Sequence, residues 1–330
     1  CYVIAAMGKW ADTVEDVTAS VILWRRQRKF IKKQKQKAKH PVRDWIEAFL
    51  WAALVVLLIN QYLIQAYKIP SGSMKNTLLN GDRIFVNKFI YGPELLPSAG
   101  KLPSIHKPEH SQVIIFENPT YLSKGTLFDI VQRAIYMVTL SLVDIDKDKY
   151  GEPRPHFLIK RAIGVGNNRI RFTGGEVEFK LPDSTAWIDE KELPRYDAAD
   201  YSIRRMIHED EYTYIRLSGI AEAYESAGIP LTPEMQEVAL GSEQLAPDSL
   251  EWNKYRYKTI YSIYPNDRKY AQEWRKLETG WYIPRGWIFP LGDNRDNSRD
   301  ARFFGPVNTE NVLGKAMFIY LPIDRIGGIE

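Results

Sequence analysis

A single cysteine, Cys1, stands at the head of this 330-residue chain. One cysteine excludes an intrachain disulfide, a zinc site built from several thiolates and a catalytic thiol inside the fold. Histidine is also scarce, with five in all, so chemistry that leans on an imidazole has few places to start. No Met opens the chain, as expected of a trimmed or fragmentary chain; a lipid-modified N-terminal Cys1 is the alternative. There are no internal repeats. The GVG of Gly164–Gly166 precedes the strand-like RIRF rather than a helix, so it reads as a turn and not as a phosphate loop. The longest unbroken apolar run, Ala48 to Ile59, has 12 residues, too few by themselves to span a bilayer core.

Acids are missing from one stretch. Arg25 to Arg43 holds ten Lys or Arg and no Asp or Glu, which against a net charge of +4 leaves the rest of the chain at −6. Such a run can bind nucleic acid, but WIEAFLWAALVVLLINQYLIQAY follows it at once. Trp45, Ile46, Tyr62, Leu63 and Ile64 extend the apolar run to about 20 residues, the bilayer thickness at ~1.5 Å per residue. Only Glu47, Asn60 and Gln61 interrupt it, near its ends. Trp and Tyr at the borders and cations before the run suit the aromatic belt and the positive-inside rule. We therefore expect a transmembrane anchor over 45–66, a buried helix being the alternative. The basic arm is then cytoplasmic and everything after Tyr67 lies on the other side.

Apolar content of 45% and charged content of 26% are those of an ordinary folded protein, long enough for one large or two smaller domains. After Tyr67 the pattern is mainly β. Asp82–Phe89, Gln112–Phe116, Phe157–Ile163, Arg169–Phe172, Glu176–Phe179 and Trp287–Leu291 are short runs rich in β-branched and aromatic residues. They predict an antiparallel sheet folded on itself. Two segments differ. Leu127–Val143 carries apolar residues at 127, 130, 131, 134, 135 and 138, with Asp129, Gln132, Arg133 and Tyr136 opposite. This predicts an amphipathic helix on the domain or in the membrane interface. Tyr201–Lys276 is polar and Tyr-rich, with helical stretches, and looks inserted.

The chemistry begins at Ser71-Gly72-Ser73, directly after the apolar run. A serine hydroxyl attacks only when a base takes its proton. His40 lies before the proposed span, and His106, His110 and His208 lie in polar loops. His156 shares a strand face with Leu158 and Lys160 by alternation, which leaves a Ser73–His156 pairing open. Lys160 in FLIKRAI is the stronger candidate: a lysine facing the interior loses solvation of its charged form and becomes a base, and Ser–Lys pairs are a variant of triad logic. A lysine snorkelling to the surface is the alternative.

Three boxes carry a resemblance. PSGSMKNTLLNGD at Pro70–Asp82, IKRAIG at Ile159–Gly164 and GDNRDNSRDAR at Gly292–Arg302, followed by FGPV, VLGKA and a closing RIGGI, resemble bacterial type I signal peptidase. That family comprises membrane-anchored Ser–Lys endopeptidases that remove signal peptides. Together these segments cover about an eighth of the 330-residue chain, and their order behind an apolar run is specific.

The resemblance implies Ser73 as nucleophile, Lys160 as general base, and an oxyanion hole from the Ser71 hydroxyl and the Ser73 N–H. It implies that Ser298 orients Lys160, that Asp300 and Arg302 support it as an ion pair, and that Gly292, Asp293 and Asn294 turn this cluster onto the Ser loop. The substrate pocket would be lined by Tyr67, Ile69, Met74, Leu78, Leu158 and Ile159, and would accept Ala-x-Ala before the cut. The implied organisation is a cytoplasmic arm 1–44, an anchor 45–66, a β core from 67–172 and 281–330, and an inserted cap 173–280. No cofactor or metal is implied. The partners are signal peptides of exported preproteins, the lipid bilayer and, by proximity, the translocation channel, with no nucleic acid. The implied location is the bacterial cytoplasmic membrane, single-pass, with the catalytic domain outside.

The sequence also departs from the pattern. Asn76 stands where a Pro is usual, Gly166-Asn167-Asn168 replaces Pro-Gly-Asp, Leu158 replaces a Tyr, and His110-Ser111 precedes QVIIF in place of Gly-Asp. These bear on pocket shape, not on a catalytic group. A catalytically silent membrane-tethered binding or assembly factor is the alternative of another kind. A self-cleaving Ser–Lys repressor would need a helix-turn-helix where the basic arm and apolar run stand.

Overall fold

The computed structural model describes residues 18–31, 41–95, 100–139, 142–182, 184–193, 202–241 and 248–329. Cys1, the lysine-rich stretch 32–40 with His40, and Tyr201 lie outside the described residues. The chain divides into two compact units, Cys1–Val55 and Val56–Glu330. Residues 18–31 form helix α1, and α2 runs from Pro41 to Tyr62.

The expected anchor over 45–66 is corrected at its far end. α2 stops at Tyr62, and Ile64–Lys68 form strand β1, paired antiparallel with β2, Arg83–Asn87. Apolar continuity hid the change of period from 3.6 to 2. Among the described residues no helix is long and apolar enough to cross a membrane. In α2 the unbroken apolar stretch 48–59 covers ~18 Å at ~1.5 Å per residue, with Asp44 and Glu47 before it and Asn60 and Gln61 after it.

The second unit is built on antiparallel sheet. β3 (Val113–Glu117) and β4 (Phe157–Val165) pair with each other, and helix α3 (Thr126–Val138) lies in the connection between them. It is shorter than the expected 127–143, of which residues 140 and 141 lie outside the described residues. β5 (Arg169–Thr173), β6 (Glu176–Lys180) and β7 (Ile188–Asp189) follow. Then come α4 (Glu211–Ser226), α5 (Pro233–Gly241), α6 (Ser249–Ile263) and α7 (Arg268–Thr279). The chain closes with β8 (Trp281–Tyr282), β9 (Trp287–Leu291), α8 (Ala301–Phe304), β10 (Val307–Asn308), β11 (Val312–Leu321) and β12 (Gly327–Gly328). The large sheet runs β1-β2-β11-β3-β4-β9-β10, with β12 also on β11; the small one runs β7-β6-β5-β8.

β3 shows why this sheet reads as continuous apolar runs. Val113 and Ile115 enter one core cluster with Met74, Leu78 and Ile84, while Ile114 and Phe116 enter another with Tyr91, Ala162 and Val307. A strand covered on both faces needs apolar residues at every position, each stabilising by roughly 1.5–3 kcal/mol. A third cluster, with Ile163, Ile170, Phe179 and Phe289, joins the two sheets. In the helical insert, α4 packs on α6 so closely that a Cβ on Gly219 would lie 2.5 Å from the Trp252 carbonyl. Trp252 Nε1 donates to Ser218 Oγ at 3.0 Å.

Candidate active site

The turn after β1 carries the serines. Ile69 is buried, and its N–H donates to the Asp82 carbonyl at 2.8 Å, which pins the entrance of the loop. Residues 73–77 are turns, not a helix, and Asn76 sits at φ 98. Proline, locked near −65°, could not adopt that conformation; Asn is among the side chains that tolerate it. The same logic applies at Asn167, with φ 71, in the turn after β4.

β4 brings Lys160 to this turn. Its Nζ lies 2.7 Å from Ser73 Oγ and donates to the Ile159 carbonyl at 2.9 Å. The side chain is 3% exposed. Burial pushes its amine down to about 8; the Asp300 and Asp293 carboxylates pull upward, and the Arg302 guanidinium adds to the lowering. Ser71 is exposed, and its hydroxyl stands 3.4 Å from Ser73 Oγ, long for an O–H···O bond.

The third box clamps the turn from behind. Asn294 donates twice, from its backbone N–H to the Ser73 carbonyl at 3.1 Å and from Nδ2 to the Gly72 carbonyl at 2.9 Å. Gly292 fits because it lacks a side chain: a Cβ there would lie 2.5 Å from the Ser73 carbonyl oxygen and 2.2 Å from Ser298 Oγ. Asp293 accepts from Arg161 Nε at 2.9 Å and Nη2 at 2.7 Å, and from Thr77 Oγ1 at 2.5 Å. Both members of that ion pair are fully buried. Arg161 also donates to the Ser111 carbonyl at 2.7 Å.

Asp300 is fully buried too. It accepts from Gly292 N–H at 3.0 Å, Arg302 Nε at 2.9 Å and Arg302 Nη2 at 3.0 Å. Burial alone would raise its carboxyl, but the Arg302 charge and hydrogen bond outweigh that and hold it below the usual carboxylate range.

Two expectations and one alternative left open meet a different arrangement. Ser298 does not hydrogen-bond Lys160: its buried Oγ has no partner of good geometry, although it lies near enough to help hold Asp300 ionised. Leu158 does not join the other pocket residues. Tyr67, Ile69, Met74 and Leu78 form one cluster with Ile159 against it, whereas Leu158 packs on the opposite cluster, because neighbours on a strand point to opposite faces. His156 stands just before β4, with Nε2 2.8 Å from Asp146 Oδ2, so it serves the β3–β4 connection and not Ser73. Burial lowers its imidazole, against the pull of Asp146.

Other members of the site were not singled out in sequence. Thr77 and Arg161 sit inside the first two boxes, and their adjacency to Ser73 and Lys160 is the signal that was there. Arg295 donates to Glu190 through both terminal nitrogens at 2.8 Å. Asp296 takes Arg205 Nε at 3.1 Å and the Ile207 N–H at 3.0 Å. Arg204 bridges backbone to backbone, receiving from Arg295 at 3.0 Å and donating to the Asp293 carbonyl at 2.8 Å. Residues 190 and 204–207 come from the insert, and no motif marks them.

The sequence profile of the family described as "Signal peptidase, peptidase S26" matches residues 42–321. The chain is 25% identical over 297 residues to a protein of Haemophilus influenzae named Signal peptidase I, covering 88% of this chain and 74% of that one. A Signal peptidase I of Buchnera aphidicola is 25% identical over 296 residues, 88% of this chain and 79% of its own. One from Aquifex aeolicus is 28% identical over 281 residues, 83% of this chain and 82% of its own.

Proposed function

The chain belongs to the signal peptidase family, peptidase S26, and from that premise we propose that it is a serine endopeptidase that cuts signal peptides from exported preproteins after small residues. The observation that carries the proposal is the 2.7 Å separation of Lys160 Nζ and Ser73 Oγ. An amine buried to about 8 is neutral in about a tenth of molecules at pH 7, and a neutral amine accepts a proton.

In this reaction Ser73 Oγ attacks the carbonyl before the scissile bond while its proton passes to Lys160 Nζ. The tetrahedral oxyanion is held by the Ser73 N–H and the Ser71 hydroxyl; the latter turns from Ser73 Oγ toward the substrate oxygen. Such a donor is worth roughly 3 kcal/mol. Lys160 then gives its proton to the leaving amine, and an acyl-Ser73 ester remains. Lys160 next takes a proton from the water that attacks the ester and passes it to Ser73 Oγ as the acyl bond breaks, which frees the acid and restores the neutral amine. Asp300 and Arg302 anchor the box that backs the Ser73 turn, and Asn294 fixes that turn. Tyr67, Ile69, Met74, Leu78 and Ile159 form one packed cluster on the strands and turn that carry Ser73 and Lys160; as the floor of the substrate pocket it would favour Ala over larger side chains.

The location we propose is the bacterial cytoplasmic membrane, with the basic arm inside and the catalytic unit outside. Trp45, Phe49, Leu50 and Trp51 are exposed on α2. A single pass of this helix, about 33 Å long, would set Trp45 and Tyr62 at the two headgroup levels and take Glu47, Asn60 and Gln61 just inside them, where Asn60 donates to the Val56 carbonyl at 2.9 Å and Gln61 to the Glu94 carbonyl at 2.8 Å. Protease digestion of sealed vesicles tests it: cutting of both flanks from one side would overturn a single pass.

Cleavage of a preprotein with an Ala-x-Ala site, in lipid, tests the chemistry. Wild type should cut after the second Ala, and Ser73→Ala and Lys160→Ala should not. Cutting by Lys160→Ala would remove the base assignment. An inert wild type on several preproteins would favour a tethered binding factor.

A further inference from the structure

Helix α3 is inside out. Gln132 is 2% exposed, whereas Leu127 is 77% exposed. Ile130, Val131 and Val138 are exposed with Leu127, on the single face that a 3.6-residue period aligns. The polar and aromatic face is the one that packs, with Met137 buried at its edge. Arg133 reaches Glu94 at 2.8 Å and Glu117 at 2.9 Å, and its guanidinium lies 5.3 Å from the Phe157 ring centre. Gln132 Nε2 donates to Asp144 at 2.9 Å, and the Tyr136 ring stands 6.2 Å from that of Tyr67. A helix on a water-facing surface does the reverse. Rotating this one to hide its leucine and valines would break the Arg133 pairs and expose Gln132's partner. The outward face is therefore held out by the fold, and it needs an apolar medium.

A second apolar surface is tied to the first through Glu94 and Leu95. Glu94, which takes Arg133, also accepts Gln61 Nε2 on its carbonyl at 2.8 Å, and the Leu95 carbonyl accepts the Tyr62 hydroxyl at 3.0 Å. These two residues thus tie α3 to the end of α2, where Leu58, Ile59, Leu63 and Ile64 are exposed, as is Leu95 itself. Protein interfaces draw on aromatic and Arg anchors set in pockets. This strip is Leu, Ile and Val with neither, which matches acyl chains.

We propose that α3 lies in the lipid interface, with Leu127, Ile130, Val131 and Val138 among the acyl chains. The proposal rests on the membrane location given above. Tyr136 of α3 and Phe157 pack on the cluster that holds Tyr67, Ile69 and Met74, so the helix placed in the interface rests on residues that flank the Ser73 turn in the chain.

The test uses the full chain with Cys1→Ser, so that an introduced cysteine is the only thiol. A polarity-sensitive fluorophore goes on Val131→Cys or, in a second protein, on Lys258→Cys, which is exposed on α6. Both are added to phosphatidylcholine–phosphatidylglycerol vesicles whose acyl chains carry a nitroxide quencher. Vesicle co-sedimentation and preprotein cleavage are measured on the same samples. The Val131 probe should shift to the blue and be quenched at least threefold more than the Lys258 probe. A chain that sediments and cuts while its Val131 probe stays in water overturns the α3 proposal and leaves the location standing. A chain that does not sediment overturns both.

Discussion

Two buried lysines make the instructive comparison. Lys160 is 3% exposed and Lys88 is 2% exposed, and burial pushes each amine down to about 8. Each is opposed by nearby carboxylates, Asp300 and Asp293 for the first and Glu94 for the second. Their partners differ. Lys160 meets a serine hydroxyl on a turn at 2.7 Å, whereas Lys88 donates to the amide oxygen of Gln65 at 3.1 Å. An amide oxygen has no proton to give, and Gln65 is buried with Lys88. A lowered amine pKa is therefore not a catalytic site; the acceptor beside it decides. Lys88 is a structural tie between β1 and the residue after β2.

The largest effect separates the two lysines by activity. Lys160→Ala and Ser73→Ala should each cost at least ~10⁴-fold in kcat, the scale of losing a nucleophile or its base. Lys88→Met should change kcat less than threefold and lower stability by only about 0.5–1.5 kcal/mol, one hydrogen bond's net worth, because the Gln65 carbonyl still accepts the Tyr67 hydroxyl at 3.0 Å; denaturant unfolding reads it. Equal losses of activity would end the comparison.

Gly292→Ala comes next. Its Cβ must displace the Ser73 carbonyl or Ser298, and a shift near 1 Å at the reacting group costs about 10²-fold. A variant with wild-type kcat would mean the turn yields without moving Ser73 Oγ.

The pH profile sharpens the contrast further. Only the neutral Lys160 takes a proton, so kcat/KM should rise about tenfold per pH unit below 8 and level off above it. In Lys88→Met the midpoint should stay in place. A midpoint that moves with Lys88 would assign the titration to the wrong amine.

The smallest effect tests the insert's hold on the third box. Burial raises the Asp296 carboxyl, but its hydrogen bond from Arg205 outweighs that and keeps it ionised. Asp296→Asn should lower kcat only a fewfold and Tm by a few degrees, since an amide oxygen still accepts the Ile207 N–H. An unchanged Tm would show the clamp to be idle.

Much of this was legible in the residues. The six expected strands appear as β2, β3, β4, β5, β6 and β9, with ends shifted by a residue or two, and the three boxes do converge on one turn. β1 was hidden because Ile64–Tyr67 prolongs an apolar run whose period changes at Leu63. β11 was read only as motif residues around Gly314, although its ten residues form the centre of the sheet. Glu190 and Arg205 carry no local signal, because their roles exist only against Arg295 and Asp296 about a hundred positions away. Ser298 is the reverse case: a resemblance gives it a partner that its rotamer here does not reach.

Composition and spacing alone determined the chemistry on offer: no thiol chemistry, a serine in a tight turn after an apolar run, a lysine in an apolar strand, and a mainly antiparallel β unit. These follow from residue type and period, which are local. Only the tertiary structure decided which buried lysine meets the serine, which carboxylates hold it and which face of α3 turns outward. Each of those depends on desolvation and on partners brought together across the sheet, and neither quantity exists until the chain has closed on itself.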